Sequence, residues 1–333
     1  MQSEAEIPTE GRQLFGRLGE AVHLRVVGQD AAVHGLLIAL LTGGHILLEG
    51  LPGLAKTLMV RSLADAVNAS FRRIQFTPDL LPGDIVGTPI YHQGSGEFRV
   101  HKGPIFANII LADEVNRAPP KVQSALLEAM EEQQVTIDGV SYSLPDPFVV
   151  LATQNPVEHQ GTYPLAEAQL DRFMMKLRIG YPSKLEEKEI VRRAAGDNGG
   201  MRPMAKPVPT TSVEEIFRAR GMAAEVFLSE EVLDYIVELV FATRQPGSYG
   251  LQHLENLIEF GTSPRATIFM SRAARASAFL DGRDYVIPDD VKEVTPHVMR
   301  HRLRTTYEAD AKRMDADAII QQILDTVPTP GWE

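Results

Sequence analysis

Residues 45–57 contain the residue types and the spacing that bind a phosphate group. The segment reads HILLEGLPGLAKT, in which a short apolar run precedes a glycine-containing loop and then Lys56-Thr57. Beyond Lys56 the apolar residues recur at helical spacing, which predicts a strand, a loop and a helix in succession. Backbone N–H groups of such a loop and the positive end of the helix dipole surround a phosphate. The predicted phosphate-binding loop comprises Gly50, Leu51, Pro52, Gly53, Leu54, Ala55, Lys56, Thr57 and Leu58.

Two side chains of this loop have expected roles in binding a nucleotide. Lys56 would neutralise the β- and γ-phosphate oxygens, and the Thr57 hydroxyl would hold Mg²⁺. The loop fits the pattern G-x4-G-K-[ST] with one departure, because Ala55 stands where the second glycine belongs. The pattern therefore predicts a nucleotide and Mg²⁺ as ligands.

A second set of candidate residues ends an apolar segment. Residues 108–114, NIILADE, predict a buried parallel strand that presents Asp113 and Glu114 at its carboxyl end. Asp113 would complete the Mg²⁺ shell through water, and Glu114 would polarise the water that attacks the γ-phosphate. The alternative is a strand end that exposes two acids to solvent. The position downstream of a phosphate loop favours the catalytic interpretation.

A third predicted strand, at residues 148–153, ends in Gln154-Asn155-Pro156. The Asn155 amide could hydrogen-bond the γ-phosphate or the attacking water. Asparagine before proline is also typical of a simple turn, so both interpretations stay open on this segment alone.

The region before the phosphate loop is predicted to be helical. Residues 1–10 are expected to form a disordered lead to helices at 11–25 and 31–41, the second capped by Asp30. Val27-Gly28, between these helices, could cover an adenine ring or could simply connect them.

The remaining segments divide the chain into an α/β part and a helical part. An α/β pattern continues to Tyr181-Pro182 with strands at 71–76 and 174–179, hairpins at 89–101 and 135–144, and helices from Pro120 and Pro164. A charged helix from Lys184 to Ala195 comes after this pattern. A Gly- and Pro-rich linker at 196–211 follows. Helical periodicity then covers residues 213–224, 229–243, 264–281, 288–303 and 315–325.

Composition excludes several classes of protein. The 333 residues contain no cysteine, which excludes disulfides and thiolate metal sites. No run reaches the roughly 18 apolar residues that cross a bilayer, and the acidic N-terminal segment lacks the apolar core of a signal peptide. We therefore expect a cytoplasmic protein without membrane insertion. A net charge of −11 disfavours sequence-independent binding to nucleic acid.

Six segments in this order and spacing carry a resemblance to a known family. They are GLPGLAKT, IILADEVNRA, LEAMEEQQVTIDG, LATQNPVE, AEAQLDRF and TSPRA. The chain, from about residue 27 to about residue 303, resembles the MoxR family of AAA+ ATPases, in the helix-2-insert branch. The resemblance implies an α/β fold: a three-layer α/β/α P-loop core with a parallel sheet, followed by an all-α lid domain.

The resemblance also implies a domain organisation. Residues 1–182 would form the nucleotide-binding core, 183–209 the linker and 210–333 the lid, with nucleotide between core and lid. Within the core, 77–103 would be the helix-2 insert and 135–144 the pre-sensor-1 hairpin.

Three further residues acquire roles by resemblance. Asn155 matches sensor 1, Arg265 in the SPRA segment matches sensor 2, and Arg172 in LDRF matches the proposed arginine finger. Such a finger is normally supplied in trans, which implies a homo-oligomeric ring, a hexamer by family analogy. Whether Arg265 acts in cis or in trans stays open, and Arg117 could lie at the subunit seam or form a surface salt bridge.

The family resemblance implies Mg²⁺-dependent ATP hydrolysis that drives chaperone-like remodelling or maturation of protein complexes, including metal or cofactor insertion. The implied partners are a protein with a von Willebrand factor A domain and a protein client. No Asn-Lys-x-Asp guanine-binding pattern is present, so ATP is preferred over GTP.

Two alternative functions and one possible metal site compete with the ATPase interpretation. A nucleic-acid motor would need basic or aromatic hairpin tips, and residues 135–144 contain no basic residue. A nucleotide-switched scaffold with little turnover is disfavoured by the presence of Asp113, Glu114, Asn155 and Arg172.

His297 and His301 stand at i, i+4 spacing but lack the glutamate and third ligand of a zinc site, so we expect packing or surface roles.

Overall fold

The computed structural model describes residues 7–94, 96–157, 161–195 and 209–331. These residues form two compact units. The core unit comprises the described parts of Leu14–Arg172 and Leu177–Ile216. The lid unit comprises the described parts of Met1–Gln13, Phe173–Lys176 and Phe217–Glu333. Residues 196–208 of the expected linker and residues 1–6 of the expected lead lie outside the described residues.

The described residues before the helical part of the chain form nine strands. They are β1 (Ile46–Gly50), β2 (Phe71–Gln75), β3 (Gly87–His92), β4 (Glu97–Lys102), β5 (Ile109–Asp113), β6 (Gln134–Ile137), β7 (Val140–Ser143), β8 (Val149–Gln154) and β9 (Met175–Ile179). Five of them form one sheet in the order β2-β5-β8-β1-β9. The pairs β2–β5, β5–β8 and β1–β8 are parallel, as predicted. All five residues of β5 are buried, and the sheet order places this apolar strand between β2 and β8.

Helices flank this sheet and complete the three-layer α/β/α core. The helices of this part of the chain are α1 (Ile7–His23), α2 (Asp30–Thr42), α3 (Lys56–Ala66), α4 (Pro82–Val86), α5 (Pro120–Glu132), α6 (Glu167–Leu170) and α7 (Lys184–Ala194), and residues 7–13 of α1 belong to the lid unit. The apolar residues of α3 that share one face, Met59, Leu63 and Ala66, are all buried.

Three predicted helix starts were wrong. The helix α1 begins at Ile7, so residues 7–10 are not part of a disordered lead. Pro8 is tolerated in the first turn, because a backbone N–H at that position would have no acceptor within the helix. Asp30 is the first residue of α2 rather than its cap, because Gln29 occupies the N-cap in a left-handed conformation with φ 62°. The helix expected from Pro164 begins only at Glu167 and spans four residues.

The two predicted hairpins are present. β3 pairs with β4 and β6 pairs with β7, both antiparallel. The sequence did not predict α4, which directly precedes the first hairpin, because five residues are too few to show helical periodicity.

The lid is helical, as predicted. Its helices are α8 (Val213–Glu225), α9 (Glu230–Arg244), α10 (Pro264–Leu280), α11 (Pro288–Met299), α12 (Tyr307–Ala311) and α13 (Ala316–Thr326). Three features differ from the expectation. α12 lies outside every predicted helix. α11 ends at Met299 rather than at 303, and a short ladder joins β10 (Ile258–Phe260) to β11 (Arg304–Thr305). Across the described ranges, no helix combines the length and the apolar character needed to span a bilayer.

Candidate nucleotide-binding site

The predicted strand, loop and helix at the phosphate loop are present. β1 ends at Gly50, and α3 begins at Lys56. Ala55, which replaces the second glycine of the pattern, has φ 57°. This left-handed conformation costs a residue with a Cβ about 1–2 kcal/mol, which explains why the pattern has glycine there. Gly50 is required by close approach, because a Cβ built on it would lie 2.8 Å from the Ile179 carbonyl oxygen.

The loop residues and two strand ends line one cavity of about 360 Å³. Its walls are Pro52, Gly53, Leu54, Ala55, Lys56, Thr57, Leu58, Asp113, Glu114, Thr153 and Asn155. The ammonium of Lys56 donates to the carbonyls of Gly50 and Leu51. The carboxyl ends of parallel strands meet at one sheet edge, so β5 and β8 bring their polar ends to the helix N-terminus of α3.

Asp113 is held by two neighbouring strands. From β2, the Arg73 Nε and Nη2 atoms donate to Asp113 Oδ2 at 3.0 and 2.5 Å. From β8, the Thr153 hydroxyl donates to Asp113 Oδ1 at 2.6 Å. The same hydroxyl accepts a hydrogen bond of 2.8 Å from the Glu114 backbone N–H. Thr153 therefore fixes both acids relative to each other.

Glu114 occupies a strained turn at the end of β5. Its φ is 56°, a left-handed conformation that is uncommon for a residue with a side chain and clusters at functional sites. Its carboxylate accepts hydrogen bonds of 2.9 Å from Gln75 Nε2 and from Arg117 Nη1. Of the two interpretations of Arg117, the salt bridge is observed, and its partner is Glu114.

The simple turn predicted at Asn155 is present, and the contact of its amide with a ligand stays a prediction. Its Oδ1 accepts a hydrogen bond of 3.2 Å from the Val157 backbone, which is the local turn. The side chain also lines the cavity and is 5% exposed. Because Oδ1 is used in the turn, the amide N–H groups are the part that can donate to a ligand.

Sequence reasoning missed three residues of this network. Arg73, Gln75 and Thr153 contact the predicted acids but belong to strands that are far away in sequence. The only signal was the polar Thr153 within the otherwise apolar run FVVLAT.

Six predicted site residues do not line this cavity among the described residues: Gly50, Leu51, Val27, Gly28, Arg172 and Arg265. Arg172 forms an ion pair of 2.8 Å with Glu131 in the last turn of α5. Val27 and Gly28 lie in the turn between α1 and α2, where Gly28 has φ 65°. A Cβ on Gly28 would overlap the Glu186 carboxylate, so this turn packs against the start of α7. Arg265 is half-buried at the second position of α10 in the lid unit.

The donor set of the cavity fits Mg²⁺. The Thr57 hydroxyl and the Asp113 carboxylate both lie in its wall, and Mg²⁺ prefers such hard oxygen ligands. Within the described ranges, no group of three or more His, Cys, Asp or Glu could hold a metal ion. Mg²⁺ in phosphate-binding sites commonly uses one or two protein ligands together with the substrate phosphates.

The histidine pair in the lid does not form a helical chelate. α11 ends at Met299, so His301 lies beyond the helix. His301 is buried, and its Nε2 lies 2.9 Å from the Phe173 carbonyl oxygen. Burial and the neighbouring Arg302 lower the pKa of His301 well below its ordinary value, which keeps the ring neutral.

Comparisons with known proteins cover both units. Residues 45–175 match the family model described as ATPase family associated with various cellular activities (AAA), and residues 252–323 match the AAA lid domain. The chain is 49% identical to Chaperone MoxR1 of Mycobacterium tuberculosis, over 98% of this chain and 84% of that protein. It is 31% identical to Protein MoxR of Methylorubrum extorquens, over 97% of each.

A solved structure supports the same assignment. A crystal structure from Cytophaga hutchinsonii, described as that of a candidate ATPase, superposes with a TM-score of 0.90. It shares 49% sequence identity, and the match covers 98% of both chains. This agreement of fold extends over the phosphate loop, the acid-bearing strand and the lid. The chain belongs to the MoxR family of AAA+ ATPases.

Proposed function

We propose that the chain hydrolyses ATP in the cavity beside the phosphate loop. The observation that supports this best is the composition of the cavity wall. It combines the Lys56 loop with two acids and one amide at the ends of adjacent strands. These are the groups that phosphoryl transfer to water requires, because its catalysis is mostly positioning and charge stabilisation.

Each residue has a distinct proposed task. Lys56 and the loop N–H groups bind the phosphates. Glu114 accepts the proton of the attacking water, with Thr153 fixing its backbone and Gln75 orienting its carboxylate. The Asn155 amide donates to the γ-phosphate or to that water. Mg²⁺, held by Thr57 and Asp113, would neutralise negative charge on the phosphates.

Two arginines complete the proposed site. Arg265 stands at the second position of α10, where the helix dipole disfavours a cation. A bound phosphate would offset that cost, which supports the sensor 2 assignment. Arg172 is proposed as an arginine finger that acts on the neighbouring subunit of a ring, a hexamer by family analogy. The proposed organisation is a core of residues 1–182, a linker of 183–209 and a lid of 210–333.

The biological role we propose is chaperone-like remodelling of protein complexes in the cytoplasm. The name of the Mycobacterium tuberculosis relative, a chaperone, supports this class. A client protein and a partner with a von Willebrand factor A domain, with metal or cofactor insertion among the outcomes, belong to the same proposal. A nucleic-acid motor is disfavoured by the net charge of −11.

Two variants test the division of labour in the cavity. Lys56→Ala should abolish binding of a fluorescent ATP analogue, because the loop loses its only side-chain cation among the described lining residues. Glu114→Gln should bind the analogue as the native chain does but release phosphate at least about 100-fold more slowly.

Arg61→Ala, an exposed position on the same helix α3, is the matched control and should change neither quantity. If Lys56→Ala and Glu114→Gln lose binding equally, the proposed roles are wrong. If Glu114→Gln retains turnover, Glu114 is not the catalytic base.

A further inference from the structure

The β3–β4 hairpin has two chemically different faces. Its cross-strand pairs alternate between Pro89–Val100 and Tyr91–Phe98 on one face and Ile90–Arg99 and His92–Glu97 on the other. Successive side chains of a strand point to opposite sides. One face therefore carries only apolar side chains at these positions, and the opposite face carries charged and polar ones with Ile90.

The apolar face is exposed. The side chains of Tyr91 and Phe98 are 52% and 69% exposed, and their ring centroids lie 5.3 Å apart in a tilted arrangement. A two-stranded hairpin is stabilised when its apolar face is covered. The exposed pair of aromatic rings is therefore unfavourable in free energy as long as no binding partner covers it.

A cation lies at the base of this face and joins it to the second hairpin. Lys102 follows Phe98 and Val100 on the same side of β4. Its ammonium lies 4.7 Å from the Phe106 ring centroid and 5.8 Å from that of Tyr142 in β7. The surface thus presents exposed aromatic rings next to a positive charge.

We propose that this face, formed by Pro89, Tyr91, Phe98 and Val100 with Lys102 at its base, docks an extended polypeptide segment. The segment carries apolar or aromatic side chains for the two rings and an acidic side chain for Lys102. The inference deepens the proposed function, because ATP-driven remodelling of a protein complex requires a contact that grips the client.

The size of the face favours a short segment over a second copy of the chain. An aromatic side chain offers about 150–250 Å² of contact area, so the two half-exposed rings supply on the order of 250 Å². A stable interface buries about 800 Å² on each partner. The face is therefore suited to a weak, transient contact that can be made and released.

Side-chain contacts rather than strand addition would mediate the docking. Pro89 lies within β3 and has no backbone N–H. A proline on a strand edge interrupts the hydrogen-bond ladder that an added strand would need. Specificity would thus come from the rings and Lys102.

The charge of the hairpins favours a polypeptide over nucleic acid. The segment Gly87–Lys102 contains two cations, Arg99 and Lys102, and one anion, Glu97. Its net charge is therefore slightly positive when its histidines are neutral. The adjoining hairpin at 135–144 contains Asp138 and no basic residue. Binding to single-stranded nucleic acid requires a continuous positive groove along with stacking rings.

Fluorescence anisotropy with a defined probe tests the proposal. The probe is a short fluorescein-labelled peptide of phenylalanine, leucine and aspartate in a glycine–serine background, added to the full chain. The variant is Tyr91→Ser with Phe98→Ser, and the matched control is Ile90→Ser, which is 46% exposed on the opposite face of the same hairpin. The double variant should weaken peptide binding about tenfold, and the control should leave it unchanged.

Three comparisons accompany this measurement. The double variant should keep the native circular dichroism spectrum, particle mass and basal ATP turnover, since neither Tyr91 nor Phe98 is among the lining residues of the nucleotide cavity. A peptide with serine in place of its phenylalanines and leucines should bind more weakly to the native chain. A labelled single-stranded oligonucleotide should bind no better than that serine peptide.

The proposal is overturned if the double variant binds the peptide as the native chain does, or if Ile90→Ser weakens binding equally. A change of particle mass in the double variant would assign the face to contacts between copies instead. Preferential binding of the oligonucleotide through the two rings would assign it to nucleic acid. If the native chain does not hydrolyse ATP, the proposed function is wrong. The docking proposal is tested separately, because the anisotropy is measured without ATP.

Discussion

At the scale of single residues, the candidate site depends on a hydroxyl that lies outside the phosphate-loop pattern. Thr153, 1% exposed, donates to Asp113 and accepts from the Glu114 backbone N–H. A buried donor or acceptor that loses its partner costs more than the hydrogen bond itself contributed. Thr153 therefore both stabilises the strand ends and sets the spacing of the two acids.

Replacing this hydroxyl separates its polar role from its volume. Thr153→Val should lower the free energy of unfolding by about 1–3 kcal/mol, because the Asp113 carboxylate and the Glu114 N–H both lose a partner. ATP turnover should fall as well, since Glu114 is no longer fixed. Urea unfolding and phosphate release measure the two effects.

Thr153→Ser is the control, because it retains the hydroxyl and loses only a methyl group. It should recover most of the turnover that Thr153→Val loses. Equal turnover in the two variants would show that the hydroxyl does not position the acids.

At the scale of helices and strands, the sequence predicted long or strongly apolar segments well. β5 and β8 are apolar runs with polar ends, and α3 follows a recognisable loop, so periodicity and composition were sufficient. α4 and α6, with five and four residues, complete too little of a helical repeat to be detected.

The end of α11 shows why tertiary contacts limit prediction. Helical spacing continues through HVMRHRL, but the helix ends at Met299. Arg302 donates instead to the carbonyls of Phe173 and Met174, at 2.6 and 3.2 Å. Those residues lie far away in sequence, so no local pattern could reveal them.

The same limit applies to the site. Lys56, Asp113 and Glu114 follow local patterns, whereas the partners of the acids depend on strand order and register. Gln75 pairs with Asp113 across β2 and β5, an arrangement that only the assembled sheet defines.

The buried His301 makes the stability of the lid depend on pH. Burial lowers its pKa in the folded chain, while in the unfolded chain it takes up a proton below about pH 6.5. The unfolded state thus binds more protons as the pH falls through 6.5, and stability decreases towards acid by at most about 1.4 kcal/mol per pH unit. Above about pH 6.5, His301 does not change the free energy of unfolding, because it is neutral in both states.

Urea unfolding between pH 7.5 and pH 5.5 measures this dependence. His301→Gln should lose less stability on acidification than the native chain, since its amide does not titrate. His253→Gln, an exposed position in the lid unit, is the control and should retain the native pH profile. An identical acid dependence in His301→Gln and the native chain would contradict the assignment.

At the scale of the whole molecule, the central proposal is that active sites are shared between subunits of a ring. Arg172 does not line the cavity and instead pairs with Glu131 in the same chain. An arginine that stabilises transition-state charge in trans adds nothing to its own subunit's site, so turnover should depend on assembly. The ion pair with Glu131 offers a competing, purely structural role for Arg172.

The most direct test is the rate of ATP hydrolysis per subunit as a function of protein concentration, with particle mass from light scattering. The native chain should hydrolyse faster per subunit as the particle grows. Arg172→Ala should assemble but lose at least about 100-fold in rate. Glu131→Gln, which breaks the same ion pair, should keep most of the activity. A rate that is independent of concentration and of Arg172, or an equal loss in Glu131→Gln, would contradict the shared active site.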